Sequence, residues 1–144
     1  MSLRELLTDP AKKEGIVQDC LEVLDAEVAD KKGLAGVAVK AGFKVVKSFK
    51  PGFVKNVVSD LLPQFADAIE PIYEEAKSKG EPIARYLPDR SHRVAEALLA
   101  ITDRKAARSQ NRVIKGTYDK LRGSAQKHVE AAVPRLAGLI ERHT

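Results

Sequence analysis

Residues Leu61–Gly80 read LLPQFADAIEPIYEEAKSKG, and their apolar positions set the period for the whole chain. Leu62, Phe65, Ala66, Ile69, Ile72, Tyr73 and Ala76 fall at i, i+3, i+4, i+7, i+10, i+11 and i+14, a near-unbroken stripe down one side of an α-helix. Pro71 interrupts that stripe. An interior proline removes one hydrogen bond and crowds the preceding turn, so the spacing predicts a kink there rather than a stop. Pro63 either kinks the same helix or opens a new one at its first position. Gly80 closes the element.

Upstream, Pro51-Gly52 is a turn signal, and a helix from about Phe53 runs into the quoted stretch. The residues before it, Lys31–Ser59, hold seven lysines and no carboxylate. Between Leu34 and Phe49 they repeat as a helix. Leu34, Ala38, Ala41, Val45 and Phe49 share one side, and Val39, Phe43 and Val46 widen it to more than half the circumference. At about 100° per residue, Lys40, Lys44 and Lys47 occupy a stripe of roughly 60°. Such breadth predicts a mostly buried helix, the packing centre of the protein, with only the lysines reaching water. Gly36 and Gly42 each cost about 1 kcal/mol relative to alanine within a helix. Either a close approach by a second helix or a bend accounts for them.

Further upstream, Ser2 and Glu5 have capping-box spacing around a short helix at Leu3–Leu7. Asp9-Pro10 starts the next helix, with Val17, Cys20, Leu21, Leu24 and Val28 inward, and it ends near Gly33. Downstream, Glu81–Pro88 holds a single turn or a packed loop. Asp89 or Ser91 caps a helix through Val94, Ala95, Leu98, Leu99 and Ile101. Another is expected over Gln110–Leu121, and Gly123-Ser124 introduces the last, bent at Pro134. No alternation of period two appears. The expected architecture is all-α: one domain over residues 1–144, a bundle of six to eight helices, several kinked at proline.

Composition agrees. The 144 residues are 44% hydrophobic and 31% charged, a balance suited to a folded core rather than to disorder. Cys20 is the sole cysteine, which excludes an internal disulfide and reads as an inert, buried thiol. The N-terminus lacks an apolar signal core and no run reaches the roughly 18 residues of a membrane span, so a cytoplasmic protein is expected. The formal net charge is +5, but it alternates in blocks. Residues 1–30 are acidic, 31–59 basic, 60–82 acidic and 83–115 basic, so neighbouring helices can attract one another as well as an outside partner.

The chain is not expected to be an enzyme. His92, His128 and His143 are scattered, without spacing for a metal site, and Ser91-His92 adjacency does not make a nucleophile–base pair. No glycine-rich phosphate loop occurs, and Glu70, Glu74 and Glu75 read as a solvated helix face. Neither cofactor nor metal is expected. Basic side chains carry the remaining functional signal. Lys40, Lys44 and Lys47, joined by Arg104, Arg108 and Arg112, are the candidate surface for an anionic partner.

The segments Leu24–Gly33, Leu61–Tyr73 and Ala97–Asp103 (LDAEVADKKG, LLPQFADAIEPIY and ALLAITD) resemble a family of small bacterial proteins of unknown function. The resemblance implies a helical intracellular protein and transfers no site. The expected function is therefore a non-enzymatic helical binding or structural module that engages an acidic or anionic partner, a protein or a second copy of itself. The alternative is nucleic-acid binding through the basic residues of 40–50 and 104–115, where a helix, short turn and basic helix invite comparison with a helix-turn-helix. A membrane surface fits less well, because the lysine stripe is narrow and the apolar side broad. On small-molecule ligands the sequence is silent.

Overall fold

The computed structural model describes residues 2–144. Its elements are α1 (Leu3–Leu7), α2 (Lys13–Asp30), α3 (Gly33–Phe49), α4 (Phe53–Ser78), α5 (Ile83–Tyr86), a 3-10 turn at Pro88–Arg90, α6 (Ser91–Ala107) and α7 (Arg112–His143). No strand occurs among the described residues, and no helix is long and apolar enough to cross a membrane.

Local signals set several boundaries as expected. Ser2 Oγ accepts the Glu5 amide at 3.1 Å while the Glu5 carboxylate accepts the Ser2 amide at 3.2 Å, a reciprocal cap. The first turn of α1 is then held on α4, where Glu70 accepts the Leu3 amide and Asp67 pairs with Arg4 at 2.6 Å. Glu70 is thus a cap for a neighbouring helix as well as part of a solvated face. Gly80 takes φ +67°, and the amides of Gly80 and Glu81 reach back to the carbonyls of Lys77 and Ala76. This left-handed close satisfies two carbonyls that the end of α4 would otherwise leave open.

Three boundaries differ from expectation. α2 begins at Lys13, one turn after Asp9-Pro10, because the Asp9 carbonyl first accepts the amides of Lys12 and Lys13. α6 has no side-chain cap from Asp89 or Ser91; it grows directly out of the 3-10 turn, where the Arg90 guanidinium lies 3.5 Å from the centre of the Tyr86 ring. Gly123-Ser124 does not break the chain, and α7 is one helix of 32 residues. Its long antiparallel contact with α6 supplies the reason. Thr102 meets Tyr118 at 2.8 Å, Asp103 meets Arg122 at 2.8 Å, and Gln126 donates to the His92 carbonyl. Tertiary contacts along that length outweigh a glycine penalty of about 1 kcal/mol. Pro63, Pro71 and Pro134 all lie within helices that continue past them.

The core gathers Leu3, Leu7, Ile16, Leu62, Ile69, Ile72, Tyr86, Val94, Val133 and Ile140, from α1, α2, α4, α5, α6 and the second half of α7. Leu62, Ala66, Ile69, Ile72, Tyr73 and Ala76 of the stripe in α4 are all buried. Polar clamps fasten α2 to α7. Glu27 is buried between Lys31, at 3.3 Å, and Arg135, which also meets Asp30 at 2.6 Å. His143 reaches Asp19 at 2.6 Å, which ties the last turn of α7 to α2. Cys20 packs against the core; burial, then the nearby Asp19, push its thiol up to about 11.

The expectation that the Lys31–Ser59 segment forms the packing centre is overturned. Among the residues of α3 whose side-chain environment is described, only Gly36 and Gly42 are buried, and none contributes a side chain to the core. α4 and α7 fill the centre, and α3 is laid on the outside.

Candidate functional site

α3 joins the bundle by its glycine side. A Cβ on Gly42 would stand 2.7 Å from Leu121 Cδ1 and 3.3 Å from Thr117 Cγ2, and a Cβ on Gly36 would stand 2.7 Å from the Lys31 carbonyl carbon. Gly42 therefore marks a close helix–helix approach to α7, while Gly36 admits the chain that enters the helix. Val39, Phe43 and Val46 are half-buried around them. A helix that approaches its neighbour through glycines must turn the opposite side outward.

That outer side is apolar. Leu34 is 92% exposed, Val37 66%, Val45 41% and Phe49 40%, with Ala38 and Ala41 also exposed between them. Val113, on the first turn of α7, is 60% exposed. It joins Ala41, Lys44, Val45, Ser48 and Phe49 around an open hollow of about 460 Å³. Every large apolar side chain that stands exposed among the described residues belongs to α3 or to the adjoining start of α7. Concentration of such residues in one place marks an interaction surface, whereas scattered ones carry no message.

Lys40, Lys44 and Lys47 run along one edge of this strip, between its outer and inner sides. Folding consumes only part of their charge. Lys47 lies 3.8 Å from Asp25, both side chains more than half exposed, a geometry that contributes little. Lys40 and Lys44 have no carboxylate within 4.0 Å among the described residues. Of the acids on the neighbouring helices, Asp19 meets His143, Glu27 meets Lys31 and Arg135, and Glu70 accepts the Leu3 amide. At the α3–α4 corner, Phe49 and Phe53 meet edge to face at 5.0 Å, with the Lys50 ammonium about equally far from both rings.

The six basic residues do not converge equally. Arg112 immediately precedes Val113 at the start of α7 but does not line the hollow that Lys44 rims. Arg104 lies in the last turn of α6 and Arg108 at its end, across the connector to α7. All three are exposed. The α6–α7 pair is an antiparallel hairpin held along its length, not two helices crossing steeply as in a DNA-reading helix-turn-helix.

Other titratable clusters serve the packing. The Tyr118 hydroxyl donates to Asp103, whose carboxylate also accepts two bonds from Arg122. Arg122 first, then Tyr118, hold Asp103 below the usual carboxylate range; burial, then Asp103, push Tyr118 up to about 12. His128 Nε2 is shielded and has no partner among the described residues. Burial, then repulsion by Lys31, lower its pKa. No group of three His, Cys, Asp or Glu side chains able to hold a metal occurs among the described residues.

Sequence reasoning assigned Leu34, Val45 and Phe49 to a buried side and passed over Val37 as a surface residue. The glycines did not mark the outward side in advance: at about 100° per residue Gly36 stands opposite Leu34, but Gly42 stands only about 20° from Phe49. Val113 could not be found in this way, because it enters from a different helix.

The chain belongs to a family of unknown function, DUF6918, whose model matches residues 3–144. No curated protein and no solved structure matches it. The family supports the resemblance seen in the sequence and brings no activity with it.

Proposed function

We propose that this protein is a non-enzymatic binding module whose outer α3 side, completed by the start of α7, docks an acidic partner protein. The observation that carries the reading is the strip of exposed Leu34, Val37, Val45, Phe49 and Val113 alongside the unpaired Lys40 and Lys44. Burying a large aliphatic side chain contributes about 1.5–3 kcal/mol, so the strip supplies affinity. The lysines supply attraction to negative charge and reject cationic competitors. Phosphates alone would use the charge and leave the apolar strip without a role, which favours a protein over nucleic acid. A cytoplasmic setting in a bacterial cell accompanies this reading, supported by the single half-buried Cys20 and by the family resemblance.

The test is a photo-crosslinking amino acid placed at Val37 or Val113 in the native cell, with Gln64 on the exposed side of α4 as control. Capture of an acidic protein is expected from the first two positions and not from Gln64. It should vanish in the Lys40→Glu, Lys44→Glu double variant. Crosslinks to nucleic acid, to lipid or to a second copy, or capture indifferent to the double variant, refute the proposal.

A further inference from the structure

We infer that the element received by this surface is an amphipathic α-helix of about four turns, lying along α3, with one large apolar side chain in the hollow beside Val113 and its carboxylates on one edge only. The inference rests on the acidic-partner reading and specifies the form of the partner.

Backbone satisfaction decides between a helix and an extended segment. Any backbone laid on the Leu34–Phe49 strip loses water from its amides and carbonyls, and each must find a partner. The receiving surface is a helix whose own backbone is internally bonded, and no strand edge exists among the described residues to extend. A bound strand would leave its polar groups unmet there, whereas a bound helix meets them internally.

Dimensions agree. Leu34, Val37, Ala38, Ala41, Val45 and Phe49 follow helical spacing over fifteen steps, about 22 Å at 1.5 Å per residue. Two such helices interlock through rows of side chains three and four residues apart. Ala41 is the smallest apolar side chain lining the open hollow, with Val45, Phe49 and Val113 around it. That concavity accepts a single bulky anchor, the usual centre of helix-in-groove binding.

Charge sets the orientation about the partner's axis. Lys40 and Lys44 stand on one edge of the strip, and Phe49 and Val113 lie toward the other. A helix with acids on both edges would bury some of them unpaired, at a penalty. The same asymmetry argues against a second copy. α3 contains no carboxylate, so a symmetric pairing through it sets lysines against lysines or against apolar side chains.

The experiment uses the full chain and four labelled probes. These are a sixteen-residue helix with leucines on one side and glutamates along one adjoining edge, its lysine-for-glutamate counterpart, the acidic peptide broken by two interior prolines, and phosphatidylglycerol/phosphatidylcholine vesicles. Fluorescence anisotropy gives affinity and amide chemical shifts give location. The intact acidic helix should bind with shifts confined to residues 34–49 and the start of α7. The lysine and proline peptides should bind at least tenfold more weakly, and Lys40→Glu with Lys44→Glu should weaken the acidic helix at least tenfold. If the proline-broken acidic peptide binds equally well, the helical inference fails while the acidic-partner reading stands. If neither acidic peptide binds, or if vesicles displace them from the same residues, both fail.

Discussion

Gly36→Ala tests how the chain turns from α2 into α3, because two effects of opposite sign meet at that one carbon. Alanine in a helix gains up to about 1 kcal/mol over glycine. Against this, the added Cβ would stand 2.7 Å and 2.9 Å from the carbonyl carbon and oxygen of Lys31. Both are backbone atoms, in a connector of two residues between α2 and α3, and neither can rotate aside. Overpacking costs about 1–3 kcal/mol even where side chains can adjust, so the expected net effect is a loss of about 1–2 kcal/mol. Gly123→Ala is the matched control. Nothing lies within 4 Å of its added Cβ, and a gain of about 1 kcal/mol is expected. Gly42→Ala should fall between them, since its nearest obstacle is Leu121 Cδ1, the far end of a flexible side chain. Urea unfolding followed by far-ultraviolet circular dichroism measures all three, and amide exchange shows whether α3 loosens before the rest. A Gly36→Ala protein as stable as the parent refutes the close approach of Gly36 to the Lys31 carbonyl.

Two further predictions concern the packing network. Tyr118→Phe removes a hydroxyl shared by Thr102 and Asp103 and should cost about 1 kcal/mol. Because the Tyr118 hydroxyl is pushed up to about 12, its stabilisation is present below pH 10 and lost as pH rises towards 12. Absorbance at tyrosinate wavelengths should show a late-titrating phenol that the variant lacks; unchanged titration refutes the contact. His128 behaves in the opposite sense. Its folded pKa is lowered, so the unfolded chain binds the proton first, and stability present above an ordinary histidine value of about 6.5 is lost as pH falls through the interval below it. His128→Phe should remove that component of the urea midpoint's fall between pH 7.5 and 5; an identical slope in the variant sinks the assignment.

Helix periodicity was legible wherever one element met the core with one side. The stripe Leu62–Ala76 became the buried side of α4, and the Ser2–Glu5 cap and the Gly80 close formed as their residue types require. Reading failed where neighbours outvoted local signals. Gly123-Ser124 looked like a boundary, but α6 lies along α7 on both sides of it and holds the helix together. Of the candidate site, the charge blocks could not show that Lys40 and Lys44 lack a carboxylate within 4.0 Å among the described residues while Glu27, Asp19 and Glu70 are met by residues 31, 135, 143 and 3, because such pairing depends on how the helices pack.

Taken alone, the sequence determined that the chain is helical, where most helices begin and end, and that Lys31–Ser59 is an apolar segment edged with cations. These are local properties, set by hydrogen bonds within a few residues and by side-chain spacing along one axis. Tertiary structure alone decided which half of that segment meets water. Its apolar circumference is wide enough to pack by either side, and periodicity cannot rank the two. The glycines break the tie, since Leu121 and Thr117 of α7 can come close only over Gly42, and Leu34, Val37, Val45 and Phe49 are left facing outward.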